Sequence, residues 1–315
     1  MKKVPHQDGV HPMPTKIQYA SDLHLEFFGT TPDFTTIVKP VAPYLVLAGD
    51  IGQPGHAVFH QFLDYVSASW RAVILIAGNH EYYTTQPQHK WNAHWNTKPP
   101  RTMLETQEAL KAACVPFPNL YFLHADSPVA FFPDDNLVFI GLTLWSWIPD
   151  DFLHVAVTSM NDYSYIPVSN TTTDKRSPLT PRVSREIHTH ERAVLEAQIS
   201  EWSVRGAEIV IVTHHMPSFR LIAPQYAESV LNCCFASDCD ALLRTGVVRA
   251  WIYGHSHTAG IKQVGTTICA MNARGYPRGG AAEACGYSST QVLPDISSTS
   301  LSESVTTASE EIEFL

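Results

Sequence analysis

Short apolar runs recur along the chain, at Ile17–Ala20, Tyr44–Ala48, Ala72–Ala77, Ile209–Val212 and Ala250–Tyr253. They are rich in Val, Ile and Leu with few polar interruptions, the pattern of parallel strands buried on both faces. Between the second and third runs, Val58, Phe59, Phe62, Leu63 and Val66 recur at helical spacing. Residues 56–69 therefore predict a crossover helix, and the strand–helix–strand passage implies a parallel pair with a right-handed connection. Further helices are predicted over residues 101–114 and 184–204, the latter closed by Gly206. Further strands are predicted at Leu120–Leu123, Val129–Phe132, Leu137–Leu142, Gly260–Val264 and Thr266–Met271. The aromatic, polar stretch up to Pro100 predicts a long loop over a site, and residues 149–181 a surface insertion. The expected organisation is a polar leader over 1–16, one domain over 17–287, and a Ser/Thr-rich acidic tail over 288–315 that is disordered.

The residues at the strand ends change the picture. They read Asp22-Leu23-His24, Gly49-Asp50, Gly78-Asn79-His80-Glu81, Thr213-His214-His215 and Gly254-His255-Ser256-His257. Residues two apart in an extended segment share a face, so Asp22 with His24, and His255 with His257, can address one object. Open α/β sheets place their chemistry at these carboxyl ends. With His80 set aside, seven oxygen or imidazole ligands remain and no thiolate: Asp22, His24, Asp50, Asn79, His214, His255 and His257. That is too many for one tetrahedral ion. It suits two ions sharing a carboxylate, and Mn²⁺, Fe, Zn²⁺ and Mg²⁺ all fit such donors. His215 faces away from its neighbour His214 and is expected beside the ligands; Glu26 and Glu81 are expected as supports for them.

Charge and cysteine usage narrow the class. A formal net charge of -9 gives no support for a broad grip on nucleic acid. The six cysteines lack the spacing of a disulfide framework, and Cys233-Cys234 with Cys239 has no second pair to complete a zinc site, so they read as reduced, buried thiols. The first 16 residues hold no apolar core of a secretion signal. No run approaches the ~18 to 20 apolar residues that span a bilayer. A soluble cytoplasmic protein without a membrane partner is expected.

The ordered set Asp22-x-His24, Gly49-Asp50, Gly78-Asn79-His80-Glu81, His214 and Gly254-His255-x-His257 resembles the calcineurin-like metallophosphoesterases, over residues 17–276. The resemblance implies an α/β fold, a four-layer α/β/β/α sandwich of two mixed β-sheets flanked by helices, with metals at the sheet edges. It implies one ion on Asp22, His24, Asp50 and His257 and another on Asp50, Asn79, His214 and His255, with Asp50 as bridge. The implied activity is metal-dependent hydrolysis of phosphomonoesters or phosphodiesters by a hydroxide shared between the ions, His80 assisting the leaving group. Asn79 is also a candidate contact to substrate, and Arg274 either clamps a phosphate or braces the last strand. Gly49-Asp50-Ile51-Gly52-Gln53-Pro54 lacks the Arg-Gly found after this motif in the protein Ser/Thr phosphatases. The implied partner is therefore a small phosphoester or nucleotide-like substrate. The rival reading is a scaffold that keeps the fold for protein binding with weak or no catalysis; retention of all the ligands and His80 favours the enzyme.

Overall fold

In a computed structural model, which describes residues 16–84, 100–169, 176–277 and 285–294, the apolar runs become two sheets laid face to face. The first has the order β1 (Ile17–Ala20), β2 (Tyr44–Ala48), β3 (Ala72–Ile76), β4 (Leu120–Phe122) and is parallel throughout. The second is mixed. It comprises β5 (Val129–Phe132), β6 (Leu137–Gly141), β9 (Glu208–Val212), β10 (Val248–Tyr253), β11 (Gly260–Val264) and β12 (Thr267–Met271), in the order β11-β12-β10-β9-β6-β5. Its four inner strands are parallel, while β5 and β11 close the edges antiparallel. A small ribbon of β7 (Pro167–Ser169) and β8 (Arg176–Pro178) stands apart.

Strand alternation builds three cores and so four layers. Tyr44, Val46, Ile74 and Ile76 of the first sheet meet Phe139, Val210, Val212 and Ile252 of the second between the sheets. Their sequence neighbours Leu45, Leu47, Val73 and Leu75 turn outward onto Phe59, Phe62, Leu63 and Val66 of the helix Ala57–Ser69 and Leu110 of the helix Met103–Cys114. On the far side Ile209, Ile211 and Trp251 pack on Leu195, Ile199 and Trp202 of the helix Pro181–Val204. That helix begins before Ser184 because Thr180 caps it, accepting the Val183 N–H, and Pro181 suits its first turn. Each fully buried Phe or Leu in these layers stabilises the fold by about 1.5–3 kcal/mol.

Two expectations need correction. The domain does not end at residue 287: Val292 bridges to Gln18 antiparallel, the Leu293 N–H bonds the Ile17 carbonyl, and Leu293 is buried between the sheets. The polar composition of 288–294 hid two apolar residues that extend the first sheet; residues 295–315 lie outside the described residues, as does the leader up to Thr15. Nor is 149–181 a mere surface insertion, since Ala156, Asp162, Tyr163, Ile166 and Leu179 are buried. The expected loop over the site falls, from residue 85 to 99, outside the described residues. Among the described residues no helix is long and apolar enough to cross a membrane.

Candidate metal centre

The carboxyl ends of β1, β2, β3, β9 and β10 converge, and backbone bonds stitch them together. The Asp22 N–H donates to the Gly49 carbonyl at 3.0 Å, His24 N–H to Asp50 at 2.9 Å, and Gly254 N–H to His214 at 2.9 Å. Asp22, His24, Asp50, His255 and His257 all take left-handed backbone conformations, with φ of 53, 49, 54, 76 and 49°. Each such non-glycine residue costs about 1–3 kcal/mol, and such strain gathers at functional sites. Close approach explains two glycines. A Cβ on Gly78 would lie 2.2 Å from Asp50 Oδ1, and one on Gly254 2.7 Å from Asp22 Oδ2.

Among the described residues three groups of ligand atoms result, the atoms of each within 4.8 Å of one another: Asp22 with His24 and His257, Asp50 with His214 and His255, and His24 with Glu26 and His80; the first two match the expected ligand set. His24 Nε2 is 3.0 Å from His257 Nε2, and His257 Nε2 is 3.3 Å from Asp22 Oδ1. In the other group His214 Nε2 is 3.1 Å from Asn79 Oδ1 and 3.3 Å from Asp50 Oδ2. Asp50 Oδ2 also lies 3.9 Å from His24 Nε2. One carboxylate oxygen thus faces both groups.

The donor chemistry fits cations. His214 Nδ1 donates to the Ala48 carbonyl at 2.9 Å, and His24 Nδ1 is 3.2 Å from Glu26 Oε1. Those bonds place the ring protons on Nδ1 and turn bare Nε2 lone pairs inward. There they meet the oxygens of Asp50 and Asn79, lone pair against lone pair, which is stable only with positive charge between them. Burial disfavours charge on His214, yet Asp50 overrides it and pushes the imidazole up to about 10. A proton can supply the charge, and so can a metal. His255 Nε2 is buried with no hydrogen-bond partner, an orphan that an ion would satisfy.

The surrounding side chains hold this arrangement. Glu81 accepts the backbone N–H groups of Gly78, Asp50, Ile51 and Gly52, joining the ends of β2 and β3. The His80 N–H donates to Asp50 Oδ1 at 2.8 Å, its Nδ1 is 3.3 Å from Glu26 Oε1, and its Nε2 is 3.1 Å from the Tyr276 hydroxyl. Tyr276 also stacks on His24, ring centres 4.4 Å apart. Burial opposes ionisation of Glu26, but His24 and His80 outweigh it and hold the carboxyl down at about 2. His215 packs behind the groups on His255, ring centres 4.2 Å apart, and burial lowers it to about 3.

Arg274 follows the last strand next to Asp22, its backbone N–H donating to the Ser21 carbonyl at 3.1 Å. Its guanidinium lies over Phe28, its Nη1 is buried without a hydrogen-bond partner, and among the described residues no hydrogen bond or ion pair ties it to either group. Three further side chains stand at the centre beside the expected ligands: Tyr83, Asp162 and Tyr276. The signal for Asp162 was the unsatisfied amide of Asn79, whose two donors need an acceptor once buried. All six cysteines are free, and among the described residues no thiol belongs to any of these groups.

Comparison with known proteins points the same way. A family model described as calcineurin-like phosphoesterase matches residues 15–259. The uncharacterized protein L509 of Acanthamoeba polyphaga mimivirus is 28% identical over 276 residues, 82% of this chain and 91% of that protein. Among solved structures, phosphopantetheinyl hydrolase from Mycobacterium tuberculosis superposes with a TM-score of 0.65 at 17% identity, covering 91% of this chain and 98% of that one.

Proposed function

Because the chain belongs to the calcineurin-like phosphoesterases, we propose that it hydrolyses small phosphoric esters at a centre built for two metal ions. The observation that carries this reading is Asp50 Oδ2, which faces His214 Nε2 at 3.3 Å and His24 Nε2 at 3.9 Å. One ion would be held by Asp22, His24, Asp50 and His257, and the other by Asp50, Asn79, His214 and His255. Such a pair activates water and draws charge from the phosphoryl oxygens.

The chain's own residues supply the rest. Asp50 Oδ1 holds the His80 backbone, so the imidazole sits beside the centre, grouped with His24 and Glu26. The Glu26 carboxylate, 3.3 Å from His80 Nδ1, favours the protonated imidazole, and His80 Nε2 is the atom that protonates or stabilises the departing oxygen. Tyr276, whose hydroxyl meets that nitrogen, lines the same face. Arg274, whose Nη1 is buried without a hydrogen-bond partner, is the candidate to contact a phosphate oxygen. The free cysteines suit a reducing compartment, and we place the protein in the cytoplasm on that ground.

The test is hydrolysis of p-nitrophenyl phosphate and bis-p-nitrophenyl phosphate after chelator stripping, with and without Mn²⁺, beside Asp50→Asn. Turnover that requires both Mn²⁺ and Asp50 supports the enzyme, and the preferred ester separates monoesterase from diesterase. Bound metal without turnover of either ester would favour a protein-binding scaffold.

A further inference from the structure

We infer that Asp162, from a segment outside the five strand ends, is a positioning residue that decides which atom Asn79 turns toward the Asp50–His214–His255 group. The inference rests on the two-metal reading above. An Asn amide presents an oxygen and a nitrogen of nearly equal size, and only the oxygen can ligate a cation. Here Asn79 Nδ2 donates to Asp162 Oδ1 at 2.8 Å and to the Tyr83 hydroxyl oxygen at 3.0 Å, while Oδ1 lies 3.1 Å from His214 Nε2. The Tyr83 hydroxyl in turn donates to the same Asp162 oxygen at 2.8 Å. A flipped amide would set oxygen against the carboxylate and aim an NH₂ group at the ligands.

Water cannot substitute for these acceptors, because Asp162 and Tyr83 are each only 3% exposed. The segment is itself anchored. The Thr84 N–H bonds the Tyr165 carbonyl at 3.1 Å, Tyr83 meets Tyr165 edge to face, and the Tyr163 hydroxyl pairs with Ser184. Asp162 therefore meets the candidate ligands by a direct hydrogen bond to Asn79.

The experiment is calorimetric titration of chelator-stripped protein with Mn²⁺. Wild type that takes up fewer than two ions refutes the two-metal reading itself. Given two steps in wild type, Asp162→Ala weakens one of them about 10- to 100-fold, the range for loss of a ligand's supporting partner, and leaves the other unchanged. Asp162→Asn, which keeps an acceptor oxygen, restores most of the loss. Asn79→Ala weakens the same step, and adding Asp162→Ala to it weakens binding no further. Two wild-type steps in Asp162→Ala, or additive losses in the double variant, overturn the inference. Should Asp162→Ala fail to fold, Tyr83→Phe deletes one acceptor and must weaken the same step; unchanged binding there overturns it equally.

Discussion

The Glu81 carboxylate accepts the Asp50 backbone N–H at 3.0 Å, so a side chain from the end of β3 fixes the turn that ends β2. Its Oε2 also takes the Gly78 N–H at 2.7 Å, and its Oε1 takes those of Ile51 and Gly52 at 2.7 and 3.2 Å. Both oxygens are occupied by backbone donors. Glu81→Gln must therefore set an NH₂ against two N–H groups, and the buried mismatch costs about 1–3 kcal/mol. Urea unfolding should show a lower midpoint with an unchanged slope. A midpoint equal to wild type would contradict this role.

Gly78 stands where backbone and carboxylate nearly touch. A Cβ there would meet Asp50 Oδ1 at 2.2 Å and His214 Cε1 at 2.8 Å, and neither side chain is free to withdraw. Gly78→Ala should cost about 1–3 kcal/mol through overpacking and abolish Mn²⁺ uptake by moving Asp50. Wild-type uptake by titration would show that Asp50 tolerates displacement.

The helix Pro181–Val204 carries two buried titratable groups with opposite effects on stability. Burial pushes Glu191, which accepts the Trp145 N–H at 3.0 Å, up to about 8. From the ordinary value of 4.5 up to about 8 the folded state holds a proton that the unfolded state has released, so stability falls as pH rises. Burial pulls His188 down to about 4, so between there and 6.5 the unfolded state holds the extra proton and stability rises with pH. The two offset each other in mild acid. Of the two, only Glu191 contributes a slope above about pH 6.5, at up to about 1.4 kcal/mol per pH unit. Glu191→Gln keeps an acceptor for Trp145 and should remove that slope between about pH 6.5 and 8; parallel profiles for variant and wild type would contradict it.

The bridge between Val292 and Gln18 bears on where the domain ends. A chain stopped after residue 287 loses the buried Leu293, its N–H bond to Ile17 and the Asn272 side-chain bond to the Ser288 N–H, whereas one stopped after 294 keeps them. The shorter chain should be less stable by about 2–4 kcal/mol, from one buried Leu and its hydrogen bonds. Equal melting temperatures would place the boundary back at 287.

Much of this architecture was legible because strand and ligand lie next to each other in the chain. Ala72–Ile76 announces itself by its β-branched run, and Gly78, Asn79 and His80 come within four residues of its end. The layers were legible for the same reason: Leu45 and Val46 are both apolar because each faces a different core. The hidden parts depend on distance along the chain. Asp162 is 83 residues from Asn79 and Tyr276 196 from His80, and neither lies in a periodic pattern that would mark it as buried. The docked segment 288–294 was masked by its Ser and Thr content, since local composition carries no record of the sheet edge it covers.

The central claim is that Asp50 stands between two metal ions. Anomalous diffraction from crystals of the stripped protein soaked in Mn²⁺ tests it directly. Two peaks about 3.5–4 Å apart are expected. One should lie within reach of Asp22, His24 and His257 and the other of Asn79, His214 and His255, with an Asp50 oxygen contacting both. A single peak, or two peaks with Asp50 touching only one, would contradict the account.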